Sequence, residues 1–122
     1  MESNKKLVFI VEDDPDICEL IETVLTGQNF KVKIFADGKK IEAEIKKQKP
    51  NLIIMDLWMP GFDGAKITKT LKSKSNTKKI PIILVSAKNS LEKIAKQAQA
   101  DSFLAKPFNI RDLIDIIKKF IK

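Results

Sequence analysis

Three short apolar runs in this chain stop abruptly at charge. Leu7-Val8-Phe9-Ile10-Val11 ends in Glu12-Asp13-Asp14, Leu52-Ile53-Ile54-Met55 ends in Asp56, and Phe103-Leu104-Ala105 ends in Lys106-Pro107. Short, nearly continuous runs of Val, Ile, Leu, Phe and Met suit strands buried on both faces, the condition of a parallel sheet. Open parallel sheets bind ligands beyond the carboxyl ends of their strands, so charge at those ends marks the position of a site. Carboxylates gathered there repel one another unless a divalent cation lies among them. They would also repel a phosphate unless that cation and a lysine were present. The combination points to magnesium-dependent phosphoryl chemistry on an aspartate.

Two further runs, Lys31–Phe35 and Ile82–Ser86, bring the strands to five, the last spanning Ser102–Ala105. Helical patterns alternate with them. The first starts at Pro15, with Asp14 as N-cap and Pro15 preorganised at the first helical position. Its apolar face is Ile17, Leu20, Ile21, Val24 and Leu25, and Gly27 to Asn29 stops it. The second opens after Asp37-Gly38 and carries Ile41 and Ile45; the third opens after Asp63-Gly64 and carries Ile67 and Leu71. The fourth, around Ser90–Gln97, has the weakest stripe, Leu91 and Ile94 among alanines. The fifth sets Ile110, Leu113, Ile114, Ile117 and Ile121 on one face. Alternating strands and helices with short loops predict a doubly wound α/β fold with a five-stranded parallel sheet and five helices. At 122 residues the expectation is one domain, 1–122, with no room for an output domain.

Composition excludes several classes. There is no histidine, which rules out a Ser-His-Asp triad, a usual zinc site and a phosphohistidine carried by this chain. Phosphate arriving from an imidazole must come from a partner. Cys18 is the only cysteine, so no internal disulfide forms and a reducing cytoplasm is expected. No apolar run approaches the roughly 18 residues of a membrane span, and the start lacks a signal-peptide core. The net charge is +7, yet Arg111 is the only arginine. Nucleic-acid sites favour arginine and interleaved aromatics, so direct DNA binding is not expected. The first helix is acidic, with Asp16, Glu19 and Glu22, whereas Lys39 through Lys79 is mostly basic, an asymmetry able to steer a partner.

Any one acidic residue after a strand is usually a helix cap, and Asp14 reads as one. The set reads differently. An aspartate can become an aspartyl phosphate. Phosphoryl transfer rests on positioning and charge neutralisation, and magnesium takes oxygen ligands, which suits Glu12, Asp13, Asp56 and a backbone carbonyl. Ser86, after the fourth strand, offers a hydroxyl to a phosphoryl oxygen, and Ala87 beside it leaves room for a donor. Lys106 supplies a compact, mobile ammonium.

These residues, together with Asp56-Leu57-Trp58-Met59-Pro60-Gly61-Phe62-Asp63-Gly64, Ser86-Ala87 and Lys106-Pro107-Phe108, resemble the receiver domain of two-component response regulators along the whole chain. The resemblance implies a flavodoxin-like sheet of strand order 2-1-3-4-5 and a chemotaxis-regulator-like single domain that switches protein–protein interaction. It implies Asp56 as phosphoacceptor, with Mg2+ held by Glu12, Asp13, Asp56 and the Trp58 carbonyl. Ser86 and Lys106 would bind the phosphoryl group, and Ser86 and Phe103 would carry the switch. The donor would be a sensor histidine kinase or a histidine phosphotransfer protein, and the downstream protein is unknown. A monomer or a weak phosphorylation-dependent dimer is expected, with no catalysis beyond the domain's own phosphoryl transfer and dephosphorylation. A cis Lys106-Pro107 bond is also expected.

Two departures bear on this. Phe103 stands where a tyrosine is frequent, and Gln99 stands where the family usually has glycine, so the loop before the last strand is expected to be built differently. Rival readings are a degenerate scaffold receiver, a small aspartate-nucleophile phosphatase of the haloacid-dehalogenase type, and a flavodoxin-like carrier. The phosphatase lacks a threonine after Asp14-Pro15-Asp16 and an acidic pair after Lys106. The carrier would face Glu12, Asp13 and Asp14 with its flavin phosphate. The scaffold would have lost site residues that this chain retains.

Overall fold

The computed structural model describes residues 5–87 and 89–121, so the ends of the expected 1–122 domain lie outside the described residues. In chain order the elements are β1 (Leu7–Val11), α1 (Pro15–Gly27), β2 (Lys31–Phe35), a 3-10 turn (Gly38–Lys40) leading into α2 (Ile41–Lys47), β3 (Leu52–Asp56), β4 (Trp58–Met59), β5 (Phe62–Asp63), α3 (Gly64–Lys72), β6 (Ile82–Ser86), α4 (Leu91–Ala98), β7 (Ser102–Ala105) and α5 (Ile110–Phe120). β2, β1, β3, β6 and β7 form a parallel sheet in that order. Counted by sheet strands alone this is the predicted 2-1-3-4-5.

The three inner strands are buried at every residue, as their continuous apolar runs demand. Successive side chains face opposite sides of the sheet. Phe9, Val11, Ile53, Met55 and Leu84 pack under α2, α3 and α4. Val8, Ile10, Ile54, Ile83 and Val85 pack under α1 and α5. Each fully buried side chain of this size contributes about 1.5–3 kcal/mol. Lys31 and Lys33 on the edge strand β2 are exposed, which blunts an edge otherwise open to pairing.

Caps fix where the helices begin. Asp14 accepts from the N–H groups of Asp16 and Ile17, Asp63 from those of Ala65 and Lys66, and Asn109 from that of Asp112. The β4–β5 hairpin is not anticipated by the strand pattern, being only two residues a side. Its signal is Pro60-Gly61, whose glycine has φ 73°. Gln99, expected to alter the loop before β7, ends α4 as its C-cap. That residue itself adopts the left-handed conformation at the end of α4, φ 66°, at a cost of about 1 kcal/mol. The Lys106-Pro107 bond is cis.

Candidate metal and phosphoryl site at the strand ends

Strand register brings the charged ends together. Val11 lies beside Met55, Asp56 beside Val85, and Ser86 beside Ala105. Glu12, Asp56, Ser86 and Lys106 therefore emerge at one edge of the sheet. Glu12 is 4% exposed and Asp56 9% exposed, whereas Asp13 projects into solvent. Ligand oxygens of Glu12, Asp13 and Asp56 can all lie within 4.8 Å of one another. An all-oxygen set with one arm open to water fits a hard divalent cation that retains part of its hydration, as Mg2+ does.

Hydrogen bonds orient the carboxylates. Glu12 Oε2 accepts from the Asp14 N–H at 3.1 Å, and Asp56 Oδ1 accepts from the Trp58 N–H at 3.4 Å. The Lys106 ammonium lies 2.9 Å from Glu12 Oε1 and 3.4 Å from Asp56 Oδ2. Burial pushes the Glu12 carboxyl above its ordinary value, a rise only partly offset by the Lys106 and Asp14 hydrogen bonds. Burial works against the Lys106 ammonium too, but the Glu12 bond and the charges of Asp56 and Glu12 outweigh it and leave its pKa raised. The lysine therefore stays charged through the neutral range. Buried Cys18 is tied in as well, its Sγ donating to the Glu12 carbonyl at 3.2 Å. Its thiol is pushed up by burial first and then by Glu12, Asp14 and Asp13.

Ser86 is buried, and its carbonyl accepts the Lys106 N–H at 3.0 Å, so these two residues share one backbone link. Asp14 caps α1 and is absent from the acidic triple, as its sequence position suggests. Trp58 is 61% exposed. Phe103 pairs in register with Leu84, faces the α4 side of the edge strand, and is 37% exposed. Two features escape the sequence reading. A Cβ on Gly64 would meet the Asp56 carbonyl oxygen at 2.5 Å, so the start of α3 presses against the end of β3. An apolar hollow of about 280 Å3, lined by Ile17, Leu20, Ala87, Lys106, Pro107 and Phe108, opens beside the carboxylates. The Asp63-Gly64 pair marks the first in sequence; nothing local marks the second, whose walls come from three separate segments.

The model of the response regulator receiver domain family matches residues 8–118. The DNA-binding response regulator MtrA of Mycolicibacterium smegmatis is 27% identical over 116 residues, 93% of this chain and 50% of that protein, so the chain spans about half the length of the curated relatives it matches. Among solved structures, the Vibrio cholerae chemotaxis protein CheY4 superposes with a TM-score of 0.87 at 28% identity, covering 96% of this chain and 99% of that one. The receiver domain of the Pseudomonas aeruginosa sensor histidine kinase PA1611, described with magnesium coordinated in its active-site cleft, gives a TM-score of 0.85 at 30% identity over 96% of this chain and 98% of that one. The acidic triple at the strand ends, the 2-1-3-4-5 sheet and these likenesses agree, and the chain belongs to the response regulator receiver family.

Proposed function

We propose that this receiver takes a phosphoryl group on Asp56 from a phosphohistidine of a sensor kinase or phosphotransfer protein. The observation that carries the reading is the buried Asp56 carboxylate, clustered with Glu12 and Asp13 and reached by the Lys106 ammonium. Attack by an Asp56 carboxylate oxygen forms the new P–O bond as the P–N bond to the donor imidazole breaks; the leaving nitrogen keeps that electron pair. Glu12, Asp13, Asp56 and the Trp58 carbonyl are the proposed Mg2+ ligands, and the ion when bound supplies charge neutralisation at the transferring oxygens. Ser86 donates its hydroxyl to one phosphoryl oxygen, and Lys106 turns from Glu12 to pair with another.

The donor protein meets helix α1. Leu20 is 42% exposed there and borders the apolar hollow beside Lys106, which offers an anchor next to an acidic mouth. Output leaves through the α4–β7–α5 face, where Ser86 engaged by phosphate lets Phe103 turn inward. Lys93, Lys96, Lys118 and Lys119 on that face favour an acidic protein surface. The domain works as a switch rather than as an enzyme on outside substrates.

Intact-mass measurement after incubation with acetyl phosphate and Mg2+ tests the site. The wild type is expected to gain one phosphoryl group, and Asp56→Asn or magnesium-free protein none. A gain by Asp56→Asn would refute the assignment. A wild type that never gains phosphate would favour the degenerate scaffold.

A further inference from the structure

The net charge of this chain is concentrated in one segment. Residues 39–79 hold 11 lysines and four acidic residues, a balance of +7 that equals the charge of the whole chain. All of those lysines except Lys72 are exposed, and they lie on α2, α3 and the loops around them. The acidic groups of this surface are already engaged: Glu44 pairs with Lys33 and Lys47, Glu42 lies 3.6 Å from Lys74, and Asp63, which lines the first groove, accepts from the Ala65 and Lys66 N–H groups as the cap of α3. Among the described residues, Lys39, Lys46, Lys49 and Lys66 form no ion pair.

A continuous track runs through this charge along the seam between α2 and α3. At the end nearer Asp56, Trp58, Met59, Phe62 and Ile67, with Lys39 and Lys66, line a groove of about 550 Å3. Next along, Ile45, Leu71, Lys46 and Lys74 line a narrower groove of about 190 Å3, which shares Glu42 with the first. At the foot, a third of about 350 Å3 shares Lys49 and Asn76 with the second and adds Pro50 and Lys79. The track is apolar at one end, where an indole stands 61% exposed, and basic along its length.

We propose that the α2–α3 seam docks an extended acidic segment of a partner protein, an apolar side chain lying against Trp58 and carboxylates following the lysines. Charge complementarity over the whole track selects an anion and speeds its encounter. A polypeptide fits better than a nucleic acid. The segment contains no arginine for bidentate base contacts, and Trp58 is the one exposed large aromatic described on this surface, so stacking platforms for successive bases are missing. The proposal goes beyond phosphorylation at Asp56 and concerns a surface distinct from the α4–β7–α5 face.

The test titrates the full chain with a synthetic peptide of a Leu-Phe pair followed by a run of glutamates. Amide chemical shifts and Trp58 emission are followed. Saturable shifts confined to residues 39–79 are expected. Lys46→Glu, Lys49→Glu and Lys66→Glu combined should weaken binding by about tenfold or more. Lys5→Glu, Lys6→Glu and Arg111→Glu combined impose the same charge change at exposed positions outside both this seam and the output lysines and should stay within about twofold, because exposed distant charges are screened by salt. Circular dichroism and retained phosphorylation of Asp56 verify that the first triple variant folds, and a triple Lys→Gln variant should show a smaller loss in the same direction. The proposal is overturned if both Glu triples weaken binding equally, if the shifts map to another face, or if duplex DNA binds more tightly than the peptide at the same salt.

Discussion

The Lys106 ammonium stands closer to Glu12 than to Asp56, 2.9 Å from Glu12 Oε1 against 3.4 Å from Asp56 Oδ2. One positive charge is thus shared by two of the three carboxylates in the acidic cluster. A divalent ion entering that cluster competes with the ammonium for the same oxygens. Lys106→Met removes the competitor, so Mg2+ affinity measured by calorimetry is expected to rise about three- to tenfold. Phosphorylation should then no longer drive the change at Phe103. Unaltered affinity would mean that the lysine leaves Glu12 at no cost.

Gly64 tests how tightly α3 is held against the site. Its N–H donates to the Leu57 carbonyl at 2.7 Å, and an added Cβ would approach the Asp56 and Leu57 carbonyl oxygens at 2.5 and 2.9 Å. Both are backbone atoms and cannot swing aside. Gly64→Ala is expected to cost about 1–3 kcal/mol in urea unfolding and to slow phosphoryl uptake at Asp56. Wild-type values in both measurements would show that the junction yields freely.

Lys72 holds the far end of the sheet. Its side chain, 8% exposed, meets Asp101 Oδ2 at 2.5 Å and donates to the carbonyls of Ile80 at 2.8 Å and Lys78 at 3.1 Å. Asp101 in turn accepts from the Ile82 N–H at 2.8 Å. The end of α3, the start of β6 and the loop before β7 are joined by these contacts. Lys72→Met leaves the carbonyls and the carboxylate without their cation, and a loss of about 2 kcal/mol is expected, below the fully buried case because Asp101 is partly wet. Urea denaturation checks it; a loss under about 0.5 kcal/mol would mean that water replaces the ammonium.

The Lys33 hydrogen bond holds the Glu44 carboxyl below its ordinary value of 4.5, with the charges of Lys33 and Lys47 adding to it against some desolvation. A depressed carboxyl contributes stability above its unfolded pKa and loses it as the pH falls through the folded one. Glu44→Gln should therefore lower Tm slightly at neutral pH and low salt, and the difference should close as the pH drops below 4.5. A gap that widens on acidification would contradict the pairing.

Local pattern was enough to specify the alternation of strands and helices. Unbroken apolar runs reported burial on both faces of β1, β3 and β6, and Asp14 and Asp63 announced their helices because a cap acts within three residues of itself. The same logic put Glu12, Asp13, Asp56, Ser86 and Lys106 at strand ends, and parallel topology sends all those ends to one edge. What the sequence could not decide is which of those neighbours touch. Nothing local makes Lys106 prefer Glu12 to Asp56, joins Lys72 to Asp101, or lines α2 and α3 into one continuous track. Periodicity records how deeply a residue is buried, a property of its own segment. Pair distances depend on strand register and helix docking, which are set by the packing of the whole sheet and its two helical layers.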